Sequence, residues 1–222
     1  MAITVSAVGN YPKIPGHGPA RLRTALARID RGEISPDDLK RVEDEVTLEV
    51  IGEQVDAGLD LVTDGQIRWF DEVTYIAGRL GGVSLAGLTR FFDTNTYYRR
   101  AVVQADVTWS EAITARDYEF ARTHSARPVK PVLTGPYTLA RLSVDEHYGS
   151  VERLAIAFAE ALNREALALQ VQGPLLIQFN EPAITRHPED VGLVGDVWRR
   201  LLRGIEVETA VYFYFGPPGA AF

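Results

Sequence analysis

Polar side chains follow several short apolar runs of this sequence, and their types suit the binding of a small ligand. Three of these runs end in a turn that carries an amide or a carboxylate. The residues that we predict to bind a substrate are Asn10, Asp64, Gln66, Asn180 and Glu181. Carboxylate and amide oxygens accept hydrogen bonds from an ammonium group, and a carboxylate also supplies charge. The alternative role is structural, because Asn and Asp also occur in turns for their backbone angles alone.

The apolar runs are short and continuous, which is typical of strands that are buried on both faces. Segments with helical spacing of apolar residues alternate with them. The predicted strands are Ile3–Val8, Leu59–Thr63, Pro131–Thr134, Leu175–Phe179 and Thr209–Phe215. The predicted helices are Ala20–Asp30, Ser35–Gly58, Trp109–Ser125, Ser150–Gly173 and Pro188–Val207. This alternation predicts the α/β class, with a parallel sheet and covering helices.

Two architectures fit such an alternation, an open doubly wound sheet and a (β/α)8 barrel of the TIM-barrel type. The open sheet favours a glycine-rich turn for a pyrophosphate after the first strand, and Gly16-His17-Gly18 lacks the third glycine of that motif. Polar residues at strand ends favour the barrel, whose chemistry lies there. Five strands instead of eight predict a barrel that is incomplete in this chain. We therefore expect residues 1–222 to form a single domain, the N-terminal part of a barrel completed by another chain or by residues not given.

Composition excludes several classes of protein. The net charge of −7 disfavours nucleic-acid binding, and no apolar run reaches the length of a membrane span. The absence of cysteine removes disulfides, thiolate nucleophiles and Cys-ligated metals. We expect a cytoplasmic protein that binds a small molecule, and the edge of an incomplete sheet favours a homo-oligomer.

Four segments resemble motifs of the cobalamin-independent methionine synthase family. Val8–Pro12 (VGNYP) is similar to the opening motif (I/V)GS(F/Y)P, and Gly58–Gln66 (GLDLVTDGQ) to GLDVLV(H/D)GE. Leu133–Thr138 (LTGPYT) resembles LTGPVT, and Ile177–Ala183 (IQFNEPA) resembles IQIDEPA. The motifs occur in the family's order over most of the chain, and the short single-barrel members are the nearest match.

The resemblance implies methyl transfer to the thiol of homocysteine, which gives methionine. It implies a zinc ion that holds the sulfur as a thiolate, and a methyl donor that is a methylated folate or methylcobalamin. In the family, carboxylates of the second and fourth motifs bind the amino acid's ammonium group, and the serine of the first motif contacts its carboxylate.

This sequence departs from the motifs at the substrate-binding positions. Asn10 replaces the serine, Gln66 replaces the glutamate and Asn180 replaces the aspartate. A neutral amide still accepts a hydrogen bond but contributes no charge. Either the ligand is therefore not homocysteine, or Asp64 and Glu181 supply the charge.

The expected zinc site departs from the family as well. The family has a His-x-Cys pair on the fifth strand, where this chain has Val211 and Phe213. The remaining ligands of the family would lie beyond residue 222. The sequence therefore predicts no metal ligands within this chain.

Two further features leave alternatives open. Phe91–Arg100 is aromatic and basic, so it binds a flat or anionic ligand or forms a β-hairpin over the barrel end. His17 is the one histidine kept as a candidate. Three functions follow: a methionine-synthase-type methyltransferase, a related transferase whose thiol ligand lacks an ammonium group, and a non-catalytic homologue that binds a small molecule.

Overall fold

A computed structural model describes residues 3–12 and 19–217 of the chain. His17 and the last five residues lie outside this part. The chain divides into two compact units. Unit one comprises Met1–Arg68 and Asp117–Pro131, and unit two comprises Trp69–Arg116 and Val132–Phe222. Within the described ranges, no helix is both long enough and apolar enough to span a bilayer.

The fold is mixed α/β, as predicted. In the described residues the helices are α1 (Pro19–Asp30), α2 (Pro36–Asp56), α3 (Glu72–Ala77), α4 (Ala115–His124), α5 (Pro136–Leu142), α6 (Val151–Val171) and α7 (Val191–Leu201). The strands are β1 (Gly81–Arg90), β2 (Tyr97–Thr108), β3 (Val132–Thr134), β4 (Val144–Asp145), β5 (Leu176–Asn180) and β6 (Glu208–Tyr212). Two 3₁₀ turns, Pro182–Arg186 and Pro188–Asp190, follow β5.

Unit one is built on the pair of helices α1 and α2. The start of α2 is fixed locally, because the Ser35 hydroxyl accepts the Asp38 N–H and the Asp38 carboxylate accepts the Ser35 N–H. The apolar faces of both helices then pack together around one cluster of buried side chains. Its members are Leu22, Val46, Val50 and Ile67.

The two strands predicted in unit one are wrong in extent. Residues 3–8 and 59–63 pair in parallel only through the isolated bridges Ser6–Leu61 and Val62–Val129. The second segment is diverted at Thr63, because the Gln54 side chain accepts its N–H at 2.9 Å and donates to its carbonyl at 2.9 Å. A side chain of α2 thus replaces the neighbouring strand.

Unit two contains a parallel sheet in the order β3-β5-β6, which confirms the predicted parallel pairing of these three strands. A second sheet has the order β1-β2-β4, with β1 and β2 antiparallel. The segment Phe91–Arg100 therefore covers the connection between β1 and β2 and the start of β2, as the hairpin alternative predicted. Helices α5, α6 and α7 pack beside one another in the same unit.

Two predicted helices begin or end elsewhere. The helix expected from Trp109 begins at Ala115, because Glu165 of α6 accepts hydrogen bonds from the indole of Trp109 and the N–H groups of residues 113–115. The helix expected to reach Val207 ends at Leu201. There the Asn163 side chain binds the carbonyls of Leu201 and Arg203 and holds the chain in a turn.

Candidate functional site

Unit one joins the loop that follows Asn10 to the turn at residues 64–66. The Tyr11 N–H donates to the Gly65 carbonyl at 3.0 Å, and the Thr63 hydroxyl donates to the Gly9 carbonyl at 2.9 Å. The Asp64 carboxylate accepts the Gln66 N–H at 3.0 Å, which closes the turn. Asn10 itself is exposed. The structure therefore brings the segments of three predicted site residues together.

Gln66 is the unusual residue of this turn. Its side chain is only 2% exposed, and its backbone has a φ of +51°, a conformation that is uncommon for residues other than glycine. Neither amide atom has a hydrogen-bond partner within the described part of the chain. A buried polar group without a hydrogen-bond partner costs about 1–3 kcal/mol of stability, so such groups are rare in folded proteins. The amide of Gln66 therefore needs a specific explanation.

Gly65 holds this turn against α2, and its replacement tests the packing. A Cβ atom there would lie 2.7 Å from Val50 Cγ1 and 2.9 Å from Tyr11 Cβ, at a φ of +68°. We expect Gly65→Ala to lower the free energy of unfolding by about 3 kcal/mol, through crowding and backbone strain together. Urea denaturation measures the loss.

Gly58 provides the matched control for that substitution. It has a φ of +79°, but a Cβ atom would meet nothing within 4 Å. Gly58→Ala should therefore lower the free energy of unfolding through backbone strain alone, by about 1 kcal/mol. Equal losses in the two variants would contradict the close packing of Gly65 against α2.

Unit two gathers a second group of polar side chains at the carboxyl ends of β3, β5 and β6. The Gln178 amide donates to Asn180 Oδ1 at 2.8 Å, and Asn180 Nδ2 donates to Glu72 Oε1 at 3.4 Å. The Tyr214 hydroxyl donates to Glu72 Oε2. A partly buried carboxylate is therefore held between an amide and a phenol.

Helix α3 places Glu72 in this group. Asp71 caps the helix by accepting the N–H groups of Val73 and Thr74, and the Thr134 hydroxyl donates to the Glu72 carbonyl at 2.6 Å. Burial raises the pKa of the Glu72 carboxyl, against the lowering effect of the bonds from Tyr214 and Asn180. Burial and the neighbouring carboxylate raise the pKa of Tyr214 as well.

Glu72 was missed by the sequence analysis. The residue before it, Asp71, is a capping residue that predicts the start of a helix but gives no hint of a binding role for Glu72. The partners of Glu72 lie more than 100 residues away in the sequence, so nothing near it indicated its environment.

Glu181 is fully buried beside the start of α5. Its carboxylate accepts the backbone N–H of Thr138 and, at 3.4 Å, the indole N–H of Trp198. Gly135 allows this approach, because a Cβ atom there would lie 2.2 Å from Glu181 Oε2. Desolvation raises the pKa of Glu181 to about 7, although these hydrogen bonds oppose the shift. Its contacts stabilise the turn between β3 and α5.

The predicted site residues are thus divided between the two units. Asn10, Asp64 and Gln66 belong to unit one, and Asn180 and Glu181 are adjacent in unit two. Their role in binding a substrate stays a prediction.

The part of the chain that the structure describes offers no set of donor atoms that fits the zinc ion implied by the resemblance. In the described ranges, no three His, Cys, Asp or Glu side chains are grouped in a way that could hold a metal ion. Val211 is partly exposed on β6, and Phe213 packs against Tyr137, Ala183 and Ile184. Both side chains are hydrocarbons, so neither has an atom that could bind a metal ion.

A cluster of aromatic rings in unit two includes Tyr214, which donates to Glu72. Tyr214 and Phe215 have ring centroids 4.8 Å apart, and Phe215 lies 6.0 Å from Phe92 by the same measure. Phe91, also from the β1–β2 connection, packs edge-on against Phe92 and Phe215. The segment Phe91–Arg100 thus supplies rings to this cluster as well as the hairpin connection.

Helices packed beside a parallel sheet, with polar side chains gathered at its carboxyl ends, define an α/β protein with a candidate ligand site. The chain belongs to the family described as the cobalamin-independent synthase, catalytic domain, whose model matches residues 1–190.

Curated relatives agree with this assignment. The methionine synthase of Sulfurisphaera tokodaii is 32% identical over 215 residues, which cover 96% of this chain and 62% of that protein. The methionine synthase of Thermococcus kodakarensis is 26% identical, over 95% of this chain and 61% of that protein. The chain therefore spans less than two thirds of the length of these relatives.

Solved structures are similar as well. A B12-independent methionine synthase from Shewanella sp., in complex with selenomethionine, matches with a TM-score of 0.76 and 29% identity, over 83% of this chain and 55% of that chain. A second protein, from Listeria monocytogenes, matches with a TM-score of 0.71 over 95% of this chain, but its 13% identity supports the fold alone.

Proposed function

We propose that this chain carries part of a methyltransferase site that makes methionine from homocysteine. Family membership supports the reaction class, and the relatives, which are methionine synthases, indicate the product. The residues that the sequence predicts to bind a substrate, Asn10, Asp64, Gln66, Asn180 and Glu181, stay predictions within this proposal.

The observation that carries the proposal is the unpartnered amide of Gln66. Its two polar atoms are buried without a hydrogen-bond partner in the described chain, and a ligand with both donors and acceptors would satisfy them. An amino acid has both kinds of group. Gln66 also stands where the family motif has a substrate-binding glutamate.

The proposed step is a nucleophilic displacement at a methyl carbon. The sulfur of homocysteine attacks as a thiolate, because a thiol is a much weaker nucleophile. The new S–C bond forms as the bond between the methyl group and its donor breaks, and the electron pair stays on the donor. With a methylated folate, the released nitrogen takes up the proton that the thiol lost, and with methylcobalamin that proton goes to solvent. A methylated folate or methylcobalamin is the proposed donor.

Several finer expectations belong to the same proposal. The parallel strands of unit two fit the first part of a (β/α)8 barrel, which would make residues 1–222 a single domain of that type. A cytoplasmic location and a homo-oligomeric state also stay predictions.

Methyl transfer is tested with the full chain, homocysteine and methyl-labelled donor, with and without added zinc. We expect labelled methionine, detected by mass spectrometry, and a Gln66→Ala variant that makes it at least about tenfold more slowly, since the amide loses its ligand contacts. The matched control is Gln104→Ala, an exposed amide on β2. Equal rates of methyl transfer in wild type and Gln66→Ala would contradict the proposed role of Gln66.

A related thiol-directed transferase is the second candidate. It is favoured by the neutral amides at Gln66 and Asn180. A ligand without an ammonium group can bind beside them without leaving a carboxylate unpaired. Transfer to the des-amino analogue of homocysteine, in preference to homocysteine, would select it. No transfer to either thiol would favour a non-catalytic homologue.

A further inference from the structure

Asn180 lacks the charge that the family motif would supply at its position, yet its side chain contacts a carboxylate. The Asn180 amide is oriented by Gln178, which donates to its oxygen, so its NH₂ group points toward Glu72. The negative charge absent from β5 is therefore present one side chain away, on α3.

Glu72 also has capacity for another partner. A carboxylate offers about four acceptor sites, and Asn180 and Tyr214 occupy one on each oxygen. Within the described residues, no ion pair joins this carboxylate to a cationic side chain, and the like-charged Asp71 contributes to raising its pKa. A partly buried carboxylate without a cation is costly, and a bound cation would offset that cost.

The surroundings of Glu72 suit a cationic group in a second way. Tyr214, which donates to its carboxylate, lies tilted against Tyr212 and edge-on to Phe215, with ring centroids 5.4 Å and 4.8 Å away. Faces of aromatic rings attract ammonium groups electrostatically. The Glu72 carboxylate and the aromatic rings near it thus both attract an ammonium group.

We infer that Glu72 binds the ammonium group of the substrate and so selects an amino acid over a thiol without an amine. This inference rests on the proposed function and names the residue that supplies the charge. Asn180 and Tyr214 act on the ligand through Glu72, as positioning residues. Binding of an ammonium group by Glu72 favours a methionine-synthase-type methyltransferase over a related transferase whose ligand lacks an ammonium group.

The test compares Glu72→Gln with wild type by calorimetric titration of three probes: homocysteine, homoserine and the des-amino analogue of homocysteine. Glutamine keeps the shape and can still bond Tyr214 and Asn180, but it removes the charge. We expect at least about a tenfold loss of affinity for homocysteine and homoserine, and less than about a twofold change for the des-amino thiol. Glu208→Gln, which alters an exposed acid at the far end of β6, should leave all three affinities unchanged.

The outcomes separate the two proposals. Equal affinity of wild type and Glu72→Gln for homocysteine would overturn the role of Glu72 and leave methyl transfer standing. Preference of the wild type for the des-amino thiol would overturn it too. Homoserine binding that needs Glu72, without any methyl transfer, would support the inference and overturn only the proposed reaction. No binding of any probe to a folded wild type would overturn both.

Discussion

Replacing Glu165 with alanine should lower the free energy of unfolding of unit two by about 4 kcal/mol, since several buried donors lose their common acceptor. Glu165 is fully buried, and its carboxylate accepts five hydrogen bonds of 2.7–3.2 Å from Trp109, Ile113, Thr114 and Ala115. Three of the donors are backbone N–H groups that precede or begin α4. Their bonds fix the path of the chain into that helix.

Urea denaturation followed by tryptophan fluorescence measures this loss. All three tryptophans of the chain, Trp69, Trp109 and Trp198, lie in unit two, so the signal reports on that unit. Glu160→Ala is the matched control, because the Glu160 side chain lies on the same helix, is 59% exposed and forms a surface ion pair with Arg200. It should cost at most about 0.5 kcal/mol. A loss for Glu165→Ala as small as that of the control would contradict the anchoring role.

Glu165→Gln refines the same prediction. The amide keeps one oxygen as an acceptor but presents an NH₂ group to donors that need an acceptor. An intermediate loss, about 2 kcal/mol, is therefore expected.

The second large effect is a dependence of stability on pH that originates at Glu181. Its pKa is about 7 in the folded chain because of desolvation, against an ordinary value of 4.5. Between these values the folded state binds one proton more than the unfolded state, so the free energy of unfolding falls as pH rises. The expected decrease is about 2–3 kcal/mol between about pH 5 and pH 8, and it levels off above the folded pKa.

Glu181→Gln isolates this contribution. Glutamine has nearly the same shape and can still accept the Thr138 N–H, but it does not ionise. The variant should therefore lose less stability than wild type between the same two pH values, by about 2–3 kcal/mol. Glu208→Gln, an exposed acid of the same unit, should follow the wild-type profile. Parallel profiles for wild type and Glu181→Gln would show that Glu181 does not titrate in this range.

Glu181 also illustrates how much of the site could be predicted. The motif around Asn180 and Glu181 correctly indicated polar residues at the end of a parallel strand. The sequence could not reveal that the glutamate is enclosed beside Gly135 and Trp198 while Glu72 approaches Asn180. Those contacts depend on which elements pack together.

Local signals alone determined several elements. Ser35 and the following Pro36-Asp37-Asp38 specify the start of α2, since the cap, the proline and the acids all act within one turn of the helix. Ser150 and the regular spacing of apolar residues specify α6 in the same way, and the continuous apolar run specifies β5. The physical reason is that capping and periodicity involve residues only a few positions apart.

Tertiary structure decided the rest. Glu165 sets where α4 begins although it lies about fifty residues further along the chain, and Gln54 ends the pairing of the segment before Thr63. Tyr214 meets Glu72 across a separation of 142 residues. In each case a side chain satisfies a distant backbone or carboxyl group, and no local pattern specifies which distant groups will meet. The amides at Gln66 and Asn180 were visible in the sequence, but the carboxylate that accompanies one of them was visible only in the fold.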